Sequence, residues 1–436
     1  MTAIEEKWEK LITGNRLRQE APPSKDDEGN HFLSDFYRVV FSSSFRRLQD
    51  KTQVNPLAST DFVRKRLTHS FEVAVIGERI ARVIAEKLKS RIGDKDYRDK
   101  FGKIVATACL LHDIGNPPFG HEGELEIRSW ADKHDITFAD YRSFDGNAQG
   151  FRIAVRLQHH GKEYGMNLTA STLAAMLKYP NLPEFDFSKN PIPKLRKRGK
   201  SSVFQSEEHH FERVCEFVGL SEGQRHPLSY IVEAADDIVN RLVDLEDGMK
   251  LDYISYDQVK SVLAKHKSEY TTELLKKMEE RRSLIDIGSE KDKNIWAYQD
   301  FRVNATTLFA LECEKVFIEN IEKLENGTFD SDLISGGKYC DFYKAIEELE
   351  NSIFGKPDIV RIEAGGKKAI SGLLDIYYNE ASANTKLFET LPFYPSLNTD
   401  IEVDNEKDIR RIADYVSGMT DRYAINHFQQ LSGMSL

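Results

Sequence analysis

Apolar residues recur at helical spacing along most of the chain. Phe71, Val75, Ile76, Ile80, Val83 and Ile84 trace one stripe that predicts a helix over 67–88. Ile104, Val105, Ala108 and Leu111 predict another over 101–112, which stops at Gly115-Asn116-Pro117-Pro118, where two prolines cannot continue a helix. A third helix begins near His121, and a long one covers 228–247. Amphipathic segments follow over 257–282 and 298–324, with turns at Asn326-Gly327 and Gly336-Gly337. No long alternating pattern marks a strand, although short hairpins stay open within the first 60 residues. The expected class is mainly α. It divides into an N-terminal segment 1–60 packed on the core and contributing to the substrate site, a core over 61–250, and helical C-terminal residues 251–436 integrated with that core.

Composition narrows the class of protein. Of 436 residues 40% are hydrophobic and 30% charged, enough for a sizeable core under a wet surface. A net charge of -10 argues against a protein that mainly coats nucleic acid. The segment Tyr179 to Lys200 holds four prolines and ends in a basic run, Lys194 to Lys200, which reads as a solvated loop or flap. The four cysteines, Cys109, Cys215, Cys313 and Cys340, are spaced for neither a disulfide framework nor a zinc knuckle, and read as buried thiols in a reducing compartment. No run of 18 apolar residues or apolar leader occurs, so no membrane partner is expected and a cytoplasmic enzyme is the simplest reading.

The chemistry concentrates in Leu110-Leu111-His112-Asp113-Ile114-Gly115-Asn116, where a His and an Asp end an apolar helix. Adjacent residues point about 100° apart on a helix, so both reach one ion only if other elements close around it. His69 on the preceding helix and Asp236 in Glu233-Ala234-Ala235-Asp236-Asp237 are available for that. Two imidazoles and two carboxylates suit Mn²⁺, Fe²⁺ or Zn²⁺, and Mg²⁺ less well. Taken singly, a His-Asp dipeptide is usually chance and a buried His usually a core residue. Asp236, Asn240 and Asp244 form one polar stripe at i, i+4 and i+8, which alone would pass for a solvated face. The set together is poorly explained that way.

His69, His112-Asp113 and Asp236 resemble the H…HD…D signature of HD-domain phosphohydrolases. Arg46 to Val54, Arg66 to Ser70, His112 to Glu124, Gly146 to Gln149, Glu233 to Asp237 with Asp244 to Asp247, and Ser417 to Asp421 together resemble the deoxyguanosine triphosphate triphosphohydrolase (dGTPase) branch, from about residue 35 to 430. The resemblance implies an HD-domain helical core over 61–250 and hydrolysis of a dNTP, dGTP favoured, to deoxynucleoside and inorganic triphosphate. It implies a divalent metal, Mn²⁺ foremost, on His69, His112, Asp113 and Asp236, with Asp237 supporting from behind. His121 becomes the proton donor to the leaving 5′ oxygen, with Glu124 orienting it. Arg66, Lys178, Tyr179 and Lys200 match phosphate-contacting positions, and Gln53 and Asp244 match positions that read the deoxyribose. Asn240 stands where the family commonly has a Tyr against the sugar, a departure that puts sugar and base preference in question. Asp421 and Arg422 are candidates for base contact. Homo-oligomers, commonly hexamers, and regulation by nucleotides or single-stranded DNA are implied by the resemblance alone. The alternatives are an HD phosphohydrolase for another nucleotide and a catalytically silent nucleotide- or single-strand-binding module.

Overall fold

The computed structural model describes residues 2–18, 31–53, 56–57, 62–93, 96–136, 138–158, 165–182, 200–221, 223–266, 268–382, 386–391 and 404–434. They form twenty α-helices and no strand. Pairing of the β type is limited to two isolated bridges, Arg16 with Thr169 and Thr52 with Lys65, so the early hairpins are absent among the described residues. The helices that frame the site are α1 (Ala3–Leu11), α2 (Arg66–Ile92), α3 (Tyr97–Leu111), α4 (Gly120–Lys133), α5 (Gly146–Arg152), α6 (Pro227–Lys250), α7 (Glu290–Glu319), α8 (Cys340–Phe354), α9 (Pro357–Ser382), α10 (Asp404–Ser417) and α11 (Asp421–Leu431).

Local chemistry sets the ends of the key helices. α2 starts after Lys65, whose amide is taken by the Thr68 hydroxyl at 3.2 Å, and the Arg66 amide is held by the Lys51 carbonyl at 3.0 Å. It ends at Gly93 with a positive φ of 85°, which glycine adopts freely. α6 opens with Pro227 at its first turn, and the His226 side chain accepts from the Leu228 amide.

The stripe expected on α2 is rotated. Phe71 and Val75 are 41% and 66% exposed, whereas His69, Val73, Ile80, Ile84 and Leu88 are buried. The cause is Gly77: a Cβ there would lie 2.8 Å from the Cys109 sulfur and 3.0 Å from Val105, so α2 turns its small residues toward α3 and α6. The segment expected over 257–282 is two helices, Tyr256–Lys265 and Glu269–Leu284, because Ser268 caps the second by exchanging hydrogen bonds with Thr271. The helix expected over 298–324 likewise starts earlier, at Glu290, and breaks at Asn320. The described part of the 179–200 segment is non-helical, and residues 183–199, with most of the basic run, lie outside the described residues.

Two apolar clusters result. The larger joins Trp8, Ile80, Phe101, Leu111, Ile231, Leu242, Phe309 and Ile346, uniting the chain from α1 to α8. The second joins Ile127 and Trp130 of α4 and Phe144 to Ile370, Tyr377, Ile412 and Val416 of α9 and α10. α4 is thus seated against C-terminal helices while its first turn faces the HD-containing loop. No helix among the described residues is long and apolar enough to cross a membrane.

Candidate active site

α2, α6 and the end of α3 bring three ligand-type side chains together. His69 Nε2 lies 3.1 Å and His112 Nε2 3.3 Å from the same Asp236 oxygen, Oδ1, and ligand atoms of these three residues lie within 4.8 Å of one another. The His112 Nδ1 proton is donated to the Cys109 carbonyl at 2.6 Å, which directs Nε2 toward the cluster. Burial would raise Asp236, but His112 and His69 hold it well below the usual carboxylate range. Burial would lower His112, but Asp113 and Asp236 carry it up to about 9. Two imidazole Nε2 atoms beside an ionised carboxylate fit a divalent cation, which would take the place of their protons. Asp113 stands slightly apart: its Oδ2 is 3.4 Å from His112 Nε2 and 2.8 Å from Arg66 Nη1, and its Oδ1 accepts from Asn116 at 2.5 Å.

The loop after Asp113 delivers the candidate acid. Gly115 and Gly146 permit it, since a Cβ on Gly115 would strike the Gly146 carbonyl and one on Gly146 the Asn116 side chain. Phe119 turns in the left-handed region at φ 60°, its amide held by Asp421 at 3.0 Å, and α4 follows. His121 Nδ1 then meets Glu124 Oε2 at 3.1 Å, while Glu124 Oε1 is fixed by the Gly146 amide at 2.7 Å. Glu124 is buried and the His121 side chain is 63% exposed, so an anchored carboxylate orients an imidazole that reaches into the open cavity.

That cavity, about 480 Å³, is bounded by Arg66, His112, Asp113, His121 and Asp236, and by Lys178, Tyr179 and Lys200. Lys178 pairs with Glu233 at 3.2 Å, and Arg225 shares Glu233 at 2.8 Å. Burial would raise Glu233, but the two cations pull it down to about 2. Lys200 and Lys178 both stand about 6 Å from the centre of the Tyr179 ring. Asn240 and Arg241 close the far side. Gln53 Nε2 donates to Asn240 Oδ1 at 2.6 Å, and Asn240 Nδ2 donates to Asp236 Oδ1 at 2.7 Å. Asp244, one turn on, is buried beside Glu350, and burial with that carboxyl raises it well above the usual range. Asp237 is pushed up to about 7, chiefly by burial, and its carbonyl accepts from the Tyr343 hydroxyl.

Most residues singled out from the sequence border one cavity or lie one hydrogen bond from it, but Asp237 and Asp244 are buried behind the lining and Asp421 and Arg422 lie apart. Asp421 is buried and its oxygens are consumed by the Phe119 and Thr52 amides, and Arg422 faces Asp50 at 3.9 Å. Sequence reasoning missed Asn116, Glu233, Lys51 and Arg225 as parts of the site. The first three lie inside strings already notable for their pattern. Arg225 carries no local signal.

A family model described as the HD domain matches residues 66–241, and one described as the phosphohydrolase-associated domain matches 348–430. The chain is 33% identical to a deoxyguanosinetriphosphate triphosphohydrolase-like protein of Synechocystis sp., over 98% of this chain and 100% of the relative. It is 34% identical to one of Listeria innocua over the same shares. It is 30% identical to the deoxyguanosinetriphosphate triphosphohydrolase of Klebsiella pneumoniae, over 95% of this chain and 97% of the relative.

Proposed function

The chain belongs to the HD-domain, deoxyguanosinetriphosphate triphosphohydrolase-like family, and on that premise we propose that this phosphohydrolase cleaves a dNTP, dGTP foremost, into deoxynucleoside and inorganic triphosphate. The observation that carries the reading is the placing of the His69, His112 and Asp236 cluster and the His121–Glu124 pair on one cavity rimmed by Arg66, Lys178 and Lys200. A polyanionic triphosphate needs such cations, and Arg66 offers a planar fork already ordered by Asp113.

His69, His112 and Asp236 would hold a divalent ion, Mn²⁺ by preference, with Asp113 as fourth ligand. When bound it would neutralise charge on the α-phosphate and ionise the attacking water. The chain's own residues do the rest. Glu124 keeps His121 aimed, so that its Nε2–H can be given to the departing 5′ oxygen, a strongly basic alkoxide. Arg66, Lys178 and Lys200 grip the leaving triphosphate, and Glu233 holds Lys178 in place beforehand. By the family resemblance, Gln53 and Asp244 are the residues that read the sugar. Such an enzyme would work in the cytoplasm as a homo-oligomer, hexameric by the resemblance, with nucleotides or single-stranded DNA as regulators.

The test is product analysis of metal-free and Mn²⁺-loaded protein with each dNTP and with GTP. Inorganic triphosphate and deoxynucleoside are expected only with metal, and a His121→Ala variant should make them about 10²- to 10⁴-fold more slowly. Release of pyrophosphate or orthophosphate instead would assign the chain to another HD phosphohydrolase.

A further inference from the structure

The wall proposed to receive a triphosphate contains a carboxylate. Glu233 borders the cavity beside Lys178, and its two oxygens are divided between two cations. Lys178 Nζ meets Oε1 at 3.2 Å, and Arg225 Nη1 meets Oε2 at 2.8 Å. An unmatched anion in that wall would repel a polyanion and would also spend the charge of the lysine beside it. Arg225 is not among the residues that border the cavity. It stands two residues before α6, its side chain only 11% exposed, and it is fastened from three sides. Its Nε donates to the Ser229 hydroxyl at 3.1 Å, its guanidinium lies 3.9 Å from the centre of the Tyr230 ring, and Glu233 closes the third side. The Tyr230 hydroxyl in turn donates to the Phe329 carbonyl at 3.1 Å, which fixes the ring under the cation.

We propose that Arg225 is a positioning residue for the triphosphate: it takes up the charge of Glu233, so that the charge of Lys178 is left for the phosphates. Two cations on one carboxylate leave one positive charge in surplus, and of the two only Lys178 borders the cavity. Lysine carries three donors, so Nζ can keep Glu233 with one and offer the others to phosphate oxygens. A guanidinium suits the rear position, because it stays charged when buried and grips several partners in fixed directions. The inference rests on the dNTP reading of this cavity. It adds a residue that acts through Glu233 and touches no substrate atom.

The probe is inorganic triphosphate, titrated by calorimetry in the presence of Mn²⁺. Arg225→Gln keeps a donor for Glu233 but removes the charge, and should bind triphosphate about tenfold or more weakly. Adding Glu233→Gln takes away the anion that Arg225 neutralises, so the double variant should recover most of that loss. Arg225→Lys, which keeps the charge, should bind nearly as the unaltered protein does. Affinity for Mn²⁺ alone, followed by electron paramagnetic resonance, should change far less in all three. Undiminished triphosphate binding in Arg225→Gln, or a loss that Glu233→Gln does not relieve, would overturn the proposal, since a residue that only packs is not rescued by removing its partner's charge. Circular dichroism shows whether Arg225→Gln is folded. If it is not, Arg225→Lys and the double variant decide, and a tenfold loss in either one overturns the proposal. An unaltered protein that binds no triphosphate sinks the polyanion reading of the cavity together with the role of Arg225, whereas normal binding in every variant removes that role alone.

Discussion

The metal corner and the C-terminal collar around the catalytic loop are held by different means. At the corner, α2, α3 and α6 are packed through apolar residues and a close glycine contact. The collar is held by buried charge. Arg152 on α5 reaches Asp414 on α10 at 2.7 Å and Glu207 at 2.6 Å, with all three side chains almost wholly buried. Lys51 Nζ donates to the Asn116 and Ser417 carbonyls, and Asp421 ties Thr52 to Phe119. A packed frame tolerates the loss of a polar group it presents. A frame made of buried ions fails when one partner goes, because the remaining charge is stranded.

His112→Ala should give the largest effect, and give it mainly in chemistry. Charge stabilisation by a bound divalent ion supplies several kcal/mol, so triphosphate release should fall by about 10³-fold or more. The urea midpoint of the metal-free protein should fall as well, since His112 also faces Asp236 at 3.3 Å and Asp113 at 3.4 Å, but by less than on loss of Arg152. A variant that keeps near-normal turnover would remove His112 from the proposed ligands, and one that unfolds would erase the contrast with the collar.

This contrast also explains what could be read along the chain. The corner is local: His112 and Asp113 are neighbours, and Asp236, Asn240 and Asp244 obey the period of one helix, so pattern alone brings them to one face. The helical class, the approximate extents of α2, α3 and α6 and the start of α4 were legible for the same reason. Phe71 and Val75 were misassigned because periodicity locates a stripe but not the neighbour that claims it, and Gly77 decided that through Cys109 and Val105. The collar was not legible. Arg152 and Asp414 lie 262 positions apart, and each alone looks like an ordinary surface charge. The role of Asp421 was missed for that reason, although its Ser417-Gly418-Met419-Thr420-Asp421 string stands out.

Arg152→Met should have the next largest effect, and on stability. It leaves Asp414 and Glu207 buried and uncompensated, which should cost about 3–5 kcal/mol in urea denaturation. Burial would raise Glu207, and Arg152 with Arg156 keeps it low, so part of that cost is relieved if Glu207 takes up a proton in the variant. Turnover per folded molecule should change less than tenfold. Wild-type stability in this variant would show that apolar contacts of Ile412 and Val416 hold the collar without the ions.

The smallest effect tests whether the metal half is free of ionic ties, and it is not entirely so. Just before α2, Arg64 meets Asp247 at 2.5 Å and Glu246 at 3.4 Å, joining the approach to His69 to the end of α6. Burial would raise Glu246, but Arg64, Lys250, Gln299 and Arg302 bring it down to about 2. A carboxyl with a folded pKa near 2 and an unfolded value near 4.5 contributes its stability fully above pH 4.5 and loses it as the pH falls toward 2. The integrated loss is about 2–3 kcal/mol. Glu246→Gln should therefore be less stable than the unaltered protein at pH 7, and the gap should close by about that amount between pH 4.5 and 2, as read by urea titrations at stepped pH. A gap that stays constant across the window would mean that Glu246 acts by packing and not by charge.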